Sequence, residues 1–226
     1  MSDSEGGTEL RDDVLMEIRA VIIEWGQENY QEYPWRDPDR EWHGLIAEIL
    51  LQRTRAKNVV PVYREFTRRF TRPQDLAEAS EEDILDVIGP LGLHWRASLL
   101  KQLGNVLVEE DQLPESLEAL KELPGVGEYV ASAYLSFHAG QRGVLIDSNI
   151  VRWASRMLGR EYDGETRREE WVRKFLDRVT PENDHRQFNY ALLDFTMSVC
   201  RPTSPMCEDC PIGATLCRHG EEKISA

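Results

Sequence analysis

Apolar residues recur at the spacing of an α-helix along almost the whole chain, and this periodicity is the strongest constraint on its fold. A first helix would bury one stripe formed by Val14, Ile18, Val21, Ile22 and Trp25, and Gly26 is expected to end it. No alternating run of apolar and polar residues is long enough to demand a strand. The chain is therefore predicted to be all-α, with further helices over 43–54, 58–70, 80–88, 95–109, 114–122, 128–139, 148–158, 166–179 and 186–199. Ser80 is expected to cap the helix that follows it.

The composition is that of a globular protein, which we expect to be cytoplasmic. Hydrophobic residues make up 41% and charged residues 30% of the 226 positions, which excludes collagen-like and fully disordered chains. No apolar run approaches the roughly 18–20 residues of a membrane span, and the acidic start lacks the pattern of a signal peptide. A large acidic excess with only five lysines favours a high-salt cytoplasm, such as that of a halophilic cell.

The distribution of charge matters more than its sum. The net charge of −14 taken alone argues against a partner as anionic as DNA. Residues 49–74, however, hold seven basic side chains and a single acidic one, Glu65. This basic island could contact phosphates, or it could be a set of solvated helix faces.

Four cysteines, Cys200, Cys207, Cys210 and Cys217, lie within the last 27 residues and cannot link the rest of the chain through disulfides. Their spacing is C-x6-C-x2-C-x6-C, which favours a local metal site. Four thiolates so close together could hold zinc or an iron–sulfur cluster. Zinc sites usually pair two C-x2-C units, and only one is present here.

Two further segments between helical patterns are candidates for a functional site. Residues 123–131, LPGVGEYVA, join two helical patterns through a turn with two glycines, and the following helix start could receive a phosphate. A tight helix–helix turn is the alternative. About twenty residues later, Asp147 precedes another helix, where it could serve only as a cap.

Taken together, these segments resemble the helix-hairpin-helix DNA glycosylase superfamily, from about Tyr33 to Cys217. Other landmarks of the resemblance are the segments 34–36, 47–54, 92–97 and 188–194. It implies a six-helix barrel lobe with the helix-hairpin-helix at 33–141, a lobe of terminal helices at 1–32 and 142–226, and an active site in the cleft between them. It also implies a 4Fe-4S cluster on the four cysteines, although the family spacing has one residue fewer before the last cysteine.

The resemblance assigns roles to three candidate catalytic residues. Asp147 would stabilise the positive charge that builds on the deoxyribose as the base departs. Tyr129 occupies the position of the lysine that forms a Schiff base in relatives of endonuclease III, so it would line the base pocket and leave no lyase activity. Glu48 is surrounded by apolar neighbours, and burial would make this carboxylate a candidate for proton transfer, although an exposed glutamate on a half-buried helix is equally compatible with the sequence.

Glu48 and Tyr129 together look most like archaeal thymine-G mismatch glycosylases, which implies removal of thymine or uracil opposite guanine and release of an abasic site. An adenine glycosylase of the MutY type is the alternative, although such enzymes usually continue into a further domain and only nine residues follow Cys217 here. A non-catalytic DNA-damage-binding protein is a second alternative. The expected partner is double-stranded DNA containing a mismatch, bound by a monomer with no membrane contact. The predicted DNA contacts are Gln52 in the gap left by the flipped base, Leu93 as a wedge, and Arg53, Gly125, Val126, Gly127 and Arg152.

Overall fold

A computed structural model describes residues 10–37, 41–92, 94–110 and 113–224, and the regular structure in these ranges is helical, without a strand. The all-α prediction is confirmed. None of the helices in these ranges combines the length and the apolar character that a membrane span requires.

The helix boundaries follow the predicted pattern with a few differences. Helices α4, α12 and α13 were not predicted, α2 ends three residues early, and α10 begins only after a short 3-10 turn at Thr166–Arg168. In chain order the helices are α1 (Asp12–Glu28), α2 (Glu41–Leu51), α3 (Ala56–Arg69), α4 (Pro73–Glu78), α5 (Glu81–Ile88), α6 (Arg96–Glu109), α7 (Leu117–Lys121), α8 (Glu128–Phe137), α9 (Ser148–Leu158), α10 (Glu170–Val179), α11 (His185–Ser198), α12 (Gly213–Leu216) and α13 (Arg218–Ile224).

The chain divides into two units. One spans Glu32–Gly143 and contains α2 to α8, and the other is built from both ends of the chain, up to Gln31 and from Val144 onward. These limits lie within two residues of the predicted division at 33–141. We call them the hairpin unit and the terminal unit.

Helix α2 lies at the centre of the hairpin unit. Every residue from Trp42 to Leu50 is buried, so this stretch of the helix has no solvent face. An apolar sequence on all sides of a helix is typical of such a core position. Around it pack apolar side chains of α3, α5, α6 and α8. The single carboxylate within this buried stretch is Glu48.

Hydrogen bonds between neighbouring residues cap the N-termini of α4 and α5 in this unit. The Ser80 hydroxyl accepts the Asp83 N–H at 3.1 Å, and the Asp83 carboxylate accepts the Ser80 N–H, as predicted for α5. At α4, the Asp75 carboxylate accepts from the Arg72 guanidinium, the Thr71 hydroxyl and the Arg72 N–H, and these bonds lower the pKa of Asp75 to about 2.

In the terminal unit, α1 packs on α11 through a close approach at Gly26. The predicted stripe is shifted: Leu15, Ile18 and Ile22 are buried together with Gly26 itself. A side chain at Gly26 would place its Cβ 2.4 Å from the Cβ of Ala191. The prediction that Gly26 ends the helix is wrong, because this glycine lies inside α1 and permits contact with α11.

Candidate active site

Glu48 is buried in the hairpin unit. Its side chain is 3% exposed, and its Oε1 lies 3.3 Å from Nε2 of His138, whose side chain is fully buried. The structure therefore excludes the alternative of an exposed carboxylate on a half-buried helix. A carboxylate withdrawn from water is costly unless it has a partner, and His138 is that partner.

The two glycines of the hairpin turn, which lies between α7 and α8, have different conformations. Gly125 has φ +79°, in the left-handed region that favours glycine. Gly127 is extended and forms the N-cap of α8, and a Cβ built there would meet nothing within 4 Å. This open space beside the first turn of a helix is what a phosphate needs, since the N–H groups of that turn have no helical acceptor.

The end of α2 lies against this turn. Gln52 donates from Nε2 to the carbonyl of Gly125 at 3.4 Å, and Arg53 is exposed with φ +57°. The buried guanidinium of Arg96 donates to the carbonyls of Ile49 and Gln52, which closes the C-terminus of α2. Burial, with the nearby charge of Arg53, lowers the pKa of Arg96 to about 10. Arg96 belongs to the landmark segment 92–97, but no sequence pattern indicated its bonds to the end of α2.

The remaining residues proposed for the hairpin unit are Tyr129, Val126 and Leu93. Tyr129 lies in the first turn of α8, partly buried against the core. Val126 is buried in the hairpin turn, so it would contact DNA only through its backbone. Leu93 lies outside the described residues.

Asp147 belongs to the terminal unit, where it caps α9. Its Oδ1 accepts the Ile150 N–H at 2.7 Å, and its Oδ2 accepts from the side-chain amide of Asn149 at 3.1 Å. The capping role anticipated for this aspartate is present. These two bonds also hold both carboxylate oxygens in a fixed direction, as a catalytic carboxylate requires.

The structure corrects the prediction for Arg152. Its side chain is buried, and the guanidinium donates to Asn149 Oδ1 at 3.0 Å and to the carbonyls of Thr196 and Cys200. Burial lowers its pKa. Arg152 lies on the inner face of α9, where its guanidinium links Asn149 to the backbone of Cys200. It is therefore not exposed for contact with a DNA phosphate.

The four cysteines line one cavity of the terminal unit, with a volume of ≈ 380 Å³ that includes its opening to solvent. The apolar side chains of Trp153, Met157 and Phe195 form part of its wall. Arg156 brings a guanidinium nitrogen to 3.4 Å from the sulfur of Cys200.

Backbone groups also face the sulfurs. The N–H groups of Ile212 and Gly213 donate to Cys210, and those of His219 and Gly220 to Cys217. Burial nevertheless raises the pKa of Cys217 to about 11, so a thiolate here needs further positive charge. In the described part of the chain, no three His, Cys, Asp or Glu side chains are arranged to hold a metal ion.

Comparison with known proteins agrees with this geometry. Residues 46–181 match the family model of the HhH-GPD superfamily base excision DNA repair proteins. The chain belongs to the HhH-GPD superfamily. The predicted membership of the helix-hairpin-helix DNA glycosylases is thus confirmed.

HhH-GPD relatives similar to this chain carry the names of DNA glycosylases. The thymine/uracil-DNA glycosylase of Pyrobaculum aerophilum is 40% identical over 209 residues, covering 88% of this chain and 90% of the relative. The thymine-DNA glycosylase of Aeropyrum pernix is 35% identical, covering 86% and 91%. An adenine DNA glycosylase of Mycobacterium tuberculosis is 31% identical, covering 88% of this chain and 66% of the relative.

Solved HhH-GPD structures share the fold. A thermostable thymine-DNA glycosylase superposes with a TM-score of 0.86 at 28% identity, covering 93% of this chain and 98% of the other. Endonuclease III in a non-covalent DNA complex superposes with a TM-score of 0.79 at 22% identity, covering 96% and 100%. The latter likeness shows the fold alone.

Proposed function

We propose that this HhH-GPD protein is a monofunctional DNA glycosylase that flips thymine or uracil mispaired with guanine out of the duplex, hydrolyses its N-glycosidic bond and leaves an abasic site. The observation that carries the proposal is the buried carboxylate of Glu48, the one acidic group in the buried stretch 42–50 of α2. The identities of 40% and 35% to the Pyrobaculum and Aeropyrum enzymes exceed the 31% to the adenine enzyme, which supports the choice of base.

The reaction needs two carboxylates with different tasks, as in other glycoside hydrolyses. Asp147, held by the Ile150 N–H and Asn149, would remain ionised and stabilise the developing cation of the sugar. Glu48 would move a proton to the departing base or from the attacking water. Tyr129 would line the pocket for the flipped base, and its phenol cannot form the imine that strand cleavage requires. Flipping costs least at a mismatch, which favours mispaired substrates.

The DNA backbone is proposed to bind the hairpin turn and part of the basic island. Arg68, Arg69 and Arg72 already pair with acidic side chains of the same unit. The exposed cations of the island that form no such ion pair among the described residues are Arg53, Arg55, Lys57 and Arg64. With Gly125 and Gly127, they are the candidates for phosphate contacts, and Gln52 is the candidate for the vacated gap.

The proposal is tested with duplexes holding T, U or A opposite G, and A opposite oxidised guanine, each treated with and without alkali. We expect release of thymine and uracil, with strand breaks appearing only after alkali because the product is an abasic site. Breaks without alkali would contradict the absence of lyase activity. Release of adenine alone would favour the adenine enzyme, and tight mismatch binding without release would favour the non-catalytic binder.

We also propose that Cys200, Cys207, Cys210 and Cys217 hold a 4Fe-4S cluster and not a single zinc ion. All four thiols line one cavity, backbone N–H groups face two of the sulfurs, and the cysteines form one C-x2-C unit where zinc sites usually pair two. When bound, a cluster would add a redox-capable group that connects the end of α11 to the segment around α12 and α13.

Protein prepared without oxygen is expected to be yellow-brown and to contain about four iron atoms and four inorganic sulfides per chain. A Cys217→Ser variant should lose most of both, since serine supplies no thiolate. Stoichiometric zinc without iron in the parent protein would contradict the cluster. Met206→Ala, which changes the cavity wall but no thiol, is the matched control.

A further inference from the structure

The contact between His138 and Glu48 has a defined chemical direction. When Glu48 is ionised, its carboxylate only accepts hydrogen bonds, and Nε2 of His138 is then the donor to Oε1. The other ring nitrogen, Nδ1, is buried and has no hydrogen-bond partner in the described part of the chain. A second proton on the ring would leave an N–H donor buried without an acceptor, which is costly. Opposite the ionised carboxylate, the geometry therefore favours the tautomer that carries its proton at Nε2.

The position of the imidazole depends on a glycine of α2. A Cβ at Gly44 would lie 2.5 Å from both Cγ and Nδ1 of the ring, so only glycine leaves space for it. Glycine is unfavourable in a helix interior, yet Gly44 lies in the most buried helix of this unit. Tyr134 lies near the ring, with the two ring centroids 6.0 Å apart. The ring is thus held by packing as well as by its bond to Glu48.

We infer that His138 is a positioning residue for Glu48, fixing the carboxylate through Oε1 and leaving Oε2 as the oxygen that exchanges a proton with the substrate. This inference rests on the proposed function, since it assigns His138 a task in the same reaction. It follows the arrangement of many active sites, in which the group that moves the proton is itself oriented by a third group. No other hydrogen bond to this carboxylate is found among the described residues, so its orientation depends on His138.

The alternative is that His138 serves only packing, by joining α8 to α2. Substitutions at 138 and 44 separate the two roles. His138→Gln keeps an N–H donor close to the place of Nε2. His138→Ala removes the donor and leaves a cavity, whereas His138→Ala combined with Gly44→Val refills the space of the ring without restoring a donor.

The decisive measurement is the single-turnover rate of base release, taken with the dissociation constant for the same mismatched duplex. We expect His138→Ala and the refilled double variant to lower the rate by about 10- to 100-fold, the range for a lost hydrogen bond to a charged group. DNA affinity should stay within about twofold, and His138→Gln should recover most of the rate. In a Glu48→Gln background, His138→Ala should have little additional effect, because both changes affect one step.

A wild-type rate in the refilled variant would overturn the inference, since packing alone would then suffice. An unchanged rate in His138→Ala would do the same while leaving the proposed function intact. If the parent protein releases no base from any duplex, the proposed function fails instead. The two failures remain distinguishable through nitrogen NMR of the histidine rings, which needs no turnover: we expect His138 protonated at Nε2, and protonation at Nδ1 alone would overturn the assignment.

Discussion

Asp147→Asn is expected to lower the single-turnover rate of base release by about 10²- to 10⁴-fold. The substitution removes the negative charge that would stabilise the sugar cation, and with it the oxygen that accepts from the Asn149 amide. Asparagine is as good an N-cap as aspartate, so the bond to the Ile150 N–H and the start of α9 should persist. The measurement is the rate at saturating enzyme on the duplex that the parent protein processes, with DNA affinity determined separately.

Asp83→Asn is a matched control for this experiment. Asp83 is also an aspartate that receives hydrogen bonds at a helix start, but it belongs to α5 and carries no proposed chemistry. Its variant should retain the parent rate within about twofold. If Asp147→Asn releases base as fast as the parent protein, then Asp147 is only a cap and the proposed mechanism is wrong.

Glu48→Gln is expected to slow base release by about 10²- to 10⁴-fold, with little change in DNA affinity. Glutamine preserves the volume of the side chain, and its carbonyl oxygen can still accept from Nε2 of His138. The fold should therefore be retained while the ability to exchange a proton is lost. Rates and affinities measured on the same duplex separate the two effects.

Glu41→Gln provides the comparison, because Glu41 is an exposed glutamate in the first turn of the same helix. Its variant should behave as the parent protein does. An unchanged rate for Glu48→Gln would assign Glu48 to the structure of the hairpin unit. The outcome would also remove the basis for a role of His138.

The positions of most helices could be predicted from local periodicity, but their packing could not. The Ser80 cap was found because its partner Asp83 is three residues away. Gly26 was misinterpreted because its function depends on Ala191, which is distant in sequence. Helix α4 was missed because six residues are too few to show a period, although its proline start and Asp75 are local signals.

In the candidate site, too, features that depend on neighbouring residues could be predicted, whereas contacts between residues distant in sequence could not. The apolar neighbours of Glu48 indicated its burial, whereas His138 lies 90 residues away. A polar ring directly after the buried run of α8 was the available signal for His138, and Gly44 gave none without the structure. Arg152 was assigned to DNA on its charge alone, but its helical face turns inward, toward Thr196 and Cys200.

The packing of α1 on α10 and α11 has a consequence for biosynthesis. The hairpin unit is continuous in sequence and can fold as soon as residue 143 has left the ribosome. The partners of α1 are α10 and α11, and both begin more than 140 residues after α1 ends. At about 5–20 residues per second, the ribosome needs roughly 7–30 s to translate that interval. Throughout that interval the apolar stripe of α1 lacks its native partners, so the nascent chain exposes an apolar surface that can aggregate.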